Sequence, residues 1–161
     1  HDSVIGISLL KSALYPNPDA DKEHHEFTLS LYPHQGGWKT ARTVDQAYSL
    51  NNPAVAVVKT NEGGMLPSTL SLVSCPQENV VIEVVKQAED GDDTIVRLYE
   101  CFNRRTKASI SFGFPVAAVT ECDLLEQDVA PVDYDGSTAS FEIKPYEIKT
   151  FRLRSKPVTK N

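Results

Sequence analysis

Cysteine is scarce in this sequence. Only Cys75, Cys101 and Cys122 occur, an odd count, far apart and each in an apolar or β-like stretch. That excludes a dense disulfide framework and points to a reducing compartment. No Asn-x-Ser/Thr sequon occurs, which agrees with a cytoplasmic location, and a bacterial cytosol is the expected setting. No apolar run reaches the roughly 18 residues that span a membrane, and no charged-then-apolar leader is visible. Basic residues do not cluster either. The formal net charge is −6, and the densest basic stretch, Arg104-Arg105-Thr106-Lys107, reads as an exposed turn. A nucleic-acid partner and a membrane partner are therefore not expected. Internal repeats and low-complexity tracts are missing as well.

What is present suits one globular domain. At 161 residues a chain can bury roughly 70% of its unfolded surface without staples. The chain begins with His1 rather than Met, and polar residues run straight into a strand-like stretch, so a piece of something longer is expected.

The dominant local signal is β. Val4 to Leu10 is a short apolar run, and His25 to Tyr32 alternates, with His25, Phe27, Leu29 and Leu31 on one face. Ala54 to Thr60, Thr69 to Val73, Val80 to Gln87 and Thr94 to Cys101 follow. Ser109 to Phe114, Ala117 to Cys122, Ser137 to Ile143 and Glu147 to Leu153 complete the set. Turn signals separate these segments: Tyr15-Pro16-Asn17-Pro18-Asp19, Glu62-Gly63-Gly64, Asp90-Gly91-Asp92 and Asp133-Tyr134-Asp135-Gly136. One short helix is expected, with Thr43 as its cap, Gln46 in capping-box position and a stop at Asn51-Asn52-Pro53. The expectation is an all-β fold. It is an antiparallel β-sandwich of about ten short strands over residues 1–154, with at most one short helix and a polar tail over 155–161.

The stretch "ADKEHHEFTLSLYPH", residues 20–34, holds three of the four histidines. Zinc ligands must converge to within about 2.0 to 2.3 Å of one ion. Neighbouring His24 and His25 on a strand point to opposite faces, and the ten residues from His24 to His34 would span roughly 33 Å of strand. A local zinc site does not survive that geometry. His25 reads instead as hydrogen-bonded at a sheet or domain boundary, and His24 as solvated.

Other chemistries leave no complete signature. Asp90, Asp92 and Asp93 form the tightest acidic cluster and read as turn chemistry, since a calcium loop wants more oxygen ligands at defined spacing. No G-x-S-x-G, H-E-x-x-H or phosphate-binding glycine loop occurs. The cysteines lack a cationic, activating context and read as core. Sugar sites need aromatic platforms. The one tryptophan, Trp38, and Tyr32 flank the histidine stretch and are the candidates for a sugar contact, although packing is the stronger reading for Trp38.

Three stretches carry a family resemblance. "LLKSALYPNPDADKEHHEFTLSLYPHQGGW" (Leu9 to Trp38) resembles a pattern of the form L-x-K/R-S-P, then P-D-x-x-A/C-D-x-G-x-H-x-F-x-Y-x-L-x-P-H and a tryptophan. Leu10, Lys11, Ser12, Asp21, His25, Phe27, Leu31, Pro33, His34 and Trp38 match it. "VVIEVVKQAEDGDDTIVRLYE" (Val80 to Glu100) and "FEIKPYEIKTFRL" (Phe141 to Leu153) follow in order. Together they resemble the C-terminal β-domain of glycoside hydrolase family 38 α-mannosidases of cytosolic or bacterial type. The sequence departs from the pattern at Ala13, Glu23 and Leu29.

The resemblance implies a parent that is a retaining exo-α-mannosidase acting on α-mannoside oligosaccharides. Its nucleophile, its acid/base carboxylate and its zinc ligands would lie in an N-terminal catalytic barrel. No catalytic residue, metal or cofactor is then expected in this chain, which would pack on that barrel and be inactive alone; a homo-oligomeric parent is compatible with this. Asp21, His25, His34, Arg97 and Glu100 are the motif positions for contacts with the catalytic domain or substrate. A purely structural role, through an Arg97–Glu100 arrangement or an Asp21–His25 hydrogen bond, is the alternative for them. A free-standing carbohydrate-binding sandwich is the alternative function.

Overall fold

A β-strand makes no hydrogen bonds within itself, so strand-like sequence becomes sheet only where it finds a neighbour. The computed structural model describes residues 4–58 and 63–155. It divides into two compact units, His1–Val58 and Lys59–Asn161, and the strands of the described residues lie in the second.

The second unit holds eight strands among the described residues: β1 Val73–Ser74, β2 Val80–Gln87, β3 Thr94–Glu100, β4 Thr106–Phe112, β5 Val116–Cys122, β6 Asp128–Pro131, β7 Thr138–Ile143 and β8 Ile148–Ser155. They form two antiparallel sheets, one ordered β1-β4-β7 and the other β2-β3-β8-β5-β6. The expected sandwich is therefore present. The Asp90-Gly91-Asp92 turn joins β2 to β3 as a hairpin, closed by the Ala88 N–H donating to the Asp93 carbonyl at 2.9 Å.

Alternation explains the core. Val96 and Leu98 of β3, Phe151 and Leu153 of β8, Ala108, Ile110 and Phe112 of β4, and Ala139 and Ile143 of β7 form one buried cluster. Phe141 packs on it, its ring 4.7 Å from that of Phe151. Val116 and Val119 both reach this core although three residues apart. A register shift between Val116 and Ala118 turns the strand between them.

At the edge of the smaller sheet, the Gly113 N–H donates to the Leu72 carbonyl at 2.9 Å. A Cβ on Gly113 would lie 2.1 Å from the Ser71 carbonyl oxygen. Gly113→Ala must push this backbone apart, a steric cost of about 1–3 kcal/mol or more. Thermal unfolding followed by circular dichroism should show Tm lowered by several degrees; an unchanged Tm would contradict the close approach.

Among the described residues the first unit contains one helix, α1, Thr43–Asn51. It ends where expected, with the Asn52 N–H donating to the Tyr48 carbonyl at 2.8 Å ahead of Pro53. Its start differs from expectation. Arg42 occupies the cap position in a left-handed conformation and makes no side-chain cap, while Thr43 is already helical. Arg42 instead reaches Asp45, Nε to Oδ2, at 2.5 Å.

The strand-like stretches Val4 to Leu10 and His25 to Tyr32 are not in sheet, nor are residues 54–58. Residues 59 and 60 of the expected Ala54 to Thr60 strand lie outside the described residues, as do residues 156–161 of the expected tail. Of Thr69 to Val73, only Val73 pairs, with Phe112. β6 was not expected. Asp128–Pro131 is exposed throughout and shows no alternation, as suits an edge strand bearing a proline.

Candidate functional site

In the first unit the candidate residues form local contacts. Asp21 adopts a positive φ of 55°, which turns its carbonyl oxygen to within 3.1 Å of His25 Nε2. The expected Asp21–His25 link thus exists, but it runs through the main chain and not through the carboxylate. His25 stacks on Phe27 with ring centroids 6.0 Å apart, as alternation requires of positions two apart. His24 turns away and lies 3.4 Å from the Glu26 carboxylate. The His34 ring sits 5.4 Å from that of Tyr32. Tyr32 donates its hydroxyl to the Ala41 carbonyl at 3.1 Å.

Tyr32 also lines a hollow of about 190 Å³ with Ser30, Thr43, Gln46, Ala47 and Leu50. Trp38 is not part of that lining, and the Lys39 ammonium sits 5.4 Å from the centre of its ring. Among the described residues, no group of three or more His, Cys, Asp or Glu side chains could hold a metal ion.

In the second unit, strand alternation separates Arg97 from Glu100. Glu100 points inward with Val96 and Leu98, and Arg97 points outward, so the expected Arg97–Glu100 arrangement does not form. Glu100 is 1% exposed. Its carboxylate accepts from Asn79 Nδ2 at 2.8 Å, from the Phe102 N–H at 2.7 Å and from the Tyr146 N–H at 3.0 Å. Burial pushes this carboxyl up, and the hydrogen bonds from Asn79, Tyr146 and Phe102 outweigh burial and hold it below the usual carboxylate range. Asn79 is fully buried; it also donates to Thr106 Oγ1 at 2.8 Å and accepts from Arg104 at 3.1 Å. One carboxylate therefore joins the segment before β2, the β3–β4 loop and the β7–β8 turn.

On the outer face of the five-stranded sheet, two arginines hold the loop that follows β5. Arg97 donates to the Leu124 carbonyl and to Thr150 Oγ1, each at 3.1 Å. Arg152, 8% exposed in β8, donates to the Glu126 carbonyl and to Asp90 Oδ1, each at 2.8 Å. Its Nε lies 3.3 Å from Asp128 Oδ1. Glu126, with a positive φ of 66°, accepts from the Glu89 N–H at 2.9 Å and pairs with Lys86 at 2.7 Å. Asp90 lies below the usual carboxylate range because of its hydrogen bond from Arg152, and Glu126 because of the one from Lys86. These groups border a cleft of about 620 Å³. Its basic and acidic side chains largely satisfy each other, so it closes a loop onto a sheet.

None of the three cysteines is in a disulfide; Cys122 is buried and Cys75 and Cys101 are partly buried, and burial pushes the Cys75 and Cys122 thiols up. Sequence reasoning did not single out Asn79, Glu126 or Arg152. The one available signal was Arg152 itself, a cation set between the apolar Phe151 and Leu153.

Two antiparallel sheets sharing one buried core define a β-sandwich domain, and comparison with known proteins agrees. Residues 79–151 match the family described as the glycosyl hydrolases family 38 C-terminal beta sandwich domain. Along 94% of its length the chain is 32% identical to Alpha-mannosidase G of Dictyostelium discoideum, over 159 residues that make up 14% of that protein. It is 31% identical to mouse Alpha-mannosidase 2C1, again over 94% of the chain and 15% of the relative. For the human Alpha-mannosidase 2C1 the figures are 35%, 78% and 12%. The chain belongs to glycoside hydrolase family 38 and carries its C-terminal β-domain. It spans about one-seventh of the length of these relatives.

Proposed function

We propose that this chain is the non-catalytic C-terminal module of a retaining exo-α-mannosidase, supporting an N-terminal, zinc-dependent catalytic barrel that hydrolyses terminal α-mannosides. The observation that carries this reading is the use made of the buried polar residues. Glu100 and Asn79 spend their hydrogen bonds on joining loops to sheets, and Arg152, at the edge of its cleft, donates to the Glu126 carbonyl and to Asp90. Arg97 and Glu100 act as structural residues, while Asp21, His25 and His34 lie on the unit available to contact the rest of the parent. A cytoplasmic setting is part of the proposal and is supported by the three cysteines, none of which is in a disulfide.

The test is hydrolysis of an aryl α-mannoside, with zinc supplied, by the purified 161-residue chain and by the full-length protein that contains it. The chain alone should release no aryl alcohol above the buffer rate, and the full-length protein should turn over. Metal-dependent turnover by the chain alone would overturn the proposal.

A further inference from the structure

The first unit is full of apolar residues, yet none of its described residues is buried. Phe27, Leu29 and Leu31 are 48%, 62% and 83% exposed, and Val55, Val57 and Val58 each exceed 85%. The alternation of residues 25–32 is that of a half-buried strand. Among the described residues, however, no backbone-to-backbone hydrogen bond involves residues 22–36. An apolar stripe and an unpaired ladder on the same segment are what a strand shows when its neighbours are missing. This segment also lies outside residues 79–151, which carry the family's sandwich.

We infer that residues 25–32 and 54–58 are strands of a further β-sheet, separate from the two of the sandwich, whose remaining strands lie elsewhere in the full-length polypeptide. The inference rests on the reading of this chain as part of a longer α-mannosidase. The relatives align through this region and are more than six times as long as the matched stretch, so the parent has ample chain to supply a sheet edge. A covalently joined edge also acts at a millimolar effective concentration, which favours it over a second copy of this chain. The occupant is thus an extended strand with free N–H and C=O groups, backed by an apolar layer that covers Phe27, Leu29 and Leu31.

Hydrogen–deuterium exchange read by mass spectrometry, on the full-length enzyme and on the 161-residue chain, tests this. Peptides from the sandwich, residues 79–151, should be protected in both. Peptides covering 25–32 and 54–58 should exchange at least about 100-fold more slowly in the full-length enzyme than in the chain alone. Leu29→Asp in the full-length enzyme should raise exchange over 25–32 without changing it over 79–151. Fast exchange of these segments in both proteins would overturn the inference. So would equal protection in the chain alone, whether independent of concentration or rising with it, the latter marking a second copy as the occupant. A full-length protein without α-mannosidase activity would sink the underlying reading instead, whereas an active enzyme with fast exchange over 25–32 sinks only this inference.

Discussion

Glu100→Ala should cost the sandwich about 3–5 kcal/mol, because three donors lose their acceptor in a site closed to water. Asn79 Nδ2 and the Phe102 and Tyr146 N–H groups all converge on that carboxylate. Asn79 is fully buried and Phe102 7% exposed, so water cannot easily replace the lost oxygen atoms. In a domain of this size such a loss lowers Tm by more than about 10 °C. Glu100→Gln retains the shape but turns an NH2 group toward donors, so it should also destabilise, by less. The pH dependence follows from the carboxyl's depressed position. Its stabilising contribution is complete above the unfolded carboxylate value of about 4.3 and is lost as pH falls through the lower folded value. The Tm gap between wild type and Glu100→Gln should therefore be constant at neutral pH and narrow on acidification below that value. A gap that widens on acidification, or a Glu100→Ala Tm within a degree of wild type, would contradict the assigned role.

Arg152→Leu is the second large change. It removes the cation that holds the Glu126 carbonyl and balances Asp90 and Asp128. Deleting one partner of a largely buried ionic group costs about 3 kcal/mol, an amount softened here because Asp90 and Asp128 can regain water. The loop bearing Leu124 and Glu126 should loosen from the sheet, since Arg97 alone would then hold its Leu124 carbonyl. Thermal unfolding and faster amide exchange across residues 123–127 would register this; an unchanged loop would show that Lys86 and the Glu89 N–H suffice to hold Glu126.

Much of the sandwich was legible in the sequence because its strands alternate and its turns are marked. Val80–Gln87 and Thr94–Glu100 flank Asp90-Gly91-Asp92, and the pattern named both strands and their hairpin. β6 was hidden because Asp128–Pro131 is exposed on both faces and has no period to read. The stretch from His25 to Tyr32 shows the reverse. Its period is that of a strand, but pattern reports which face is apolar and not whether a neighbour is present to pair with.

The candidate site was less legible for a related reason. Glu100 was marked by its motif, yet its partners Asn79 and Tyr146 lie 21 and 46 residues away. Only the fold brings them together. The paired reading of Arg97 and Glu100 failed on the simplest rule, since residues three apart on a strand face opposite sides. Asp21 and His25 did meet, through a main-chain carbonyl turned by a positive φ that no residue pattern announced.

The central claim is that this domain supports catalysis without taking part in it. The most direct measurement is steady-state hydrolysis of an aryl α-mannoside by the full-length enzyme carrying Arg152→Leu, taken well below its Tm and paired with that Tm. The account predicts a lowered Tm with kcat and kcat/KM within about twofold of wild type, since no transition-state contact is removed. A kcat reduced by about two orders of magnitude in an enzyme of unchanged Tm would mean that this domain reaches the reacting sugar.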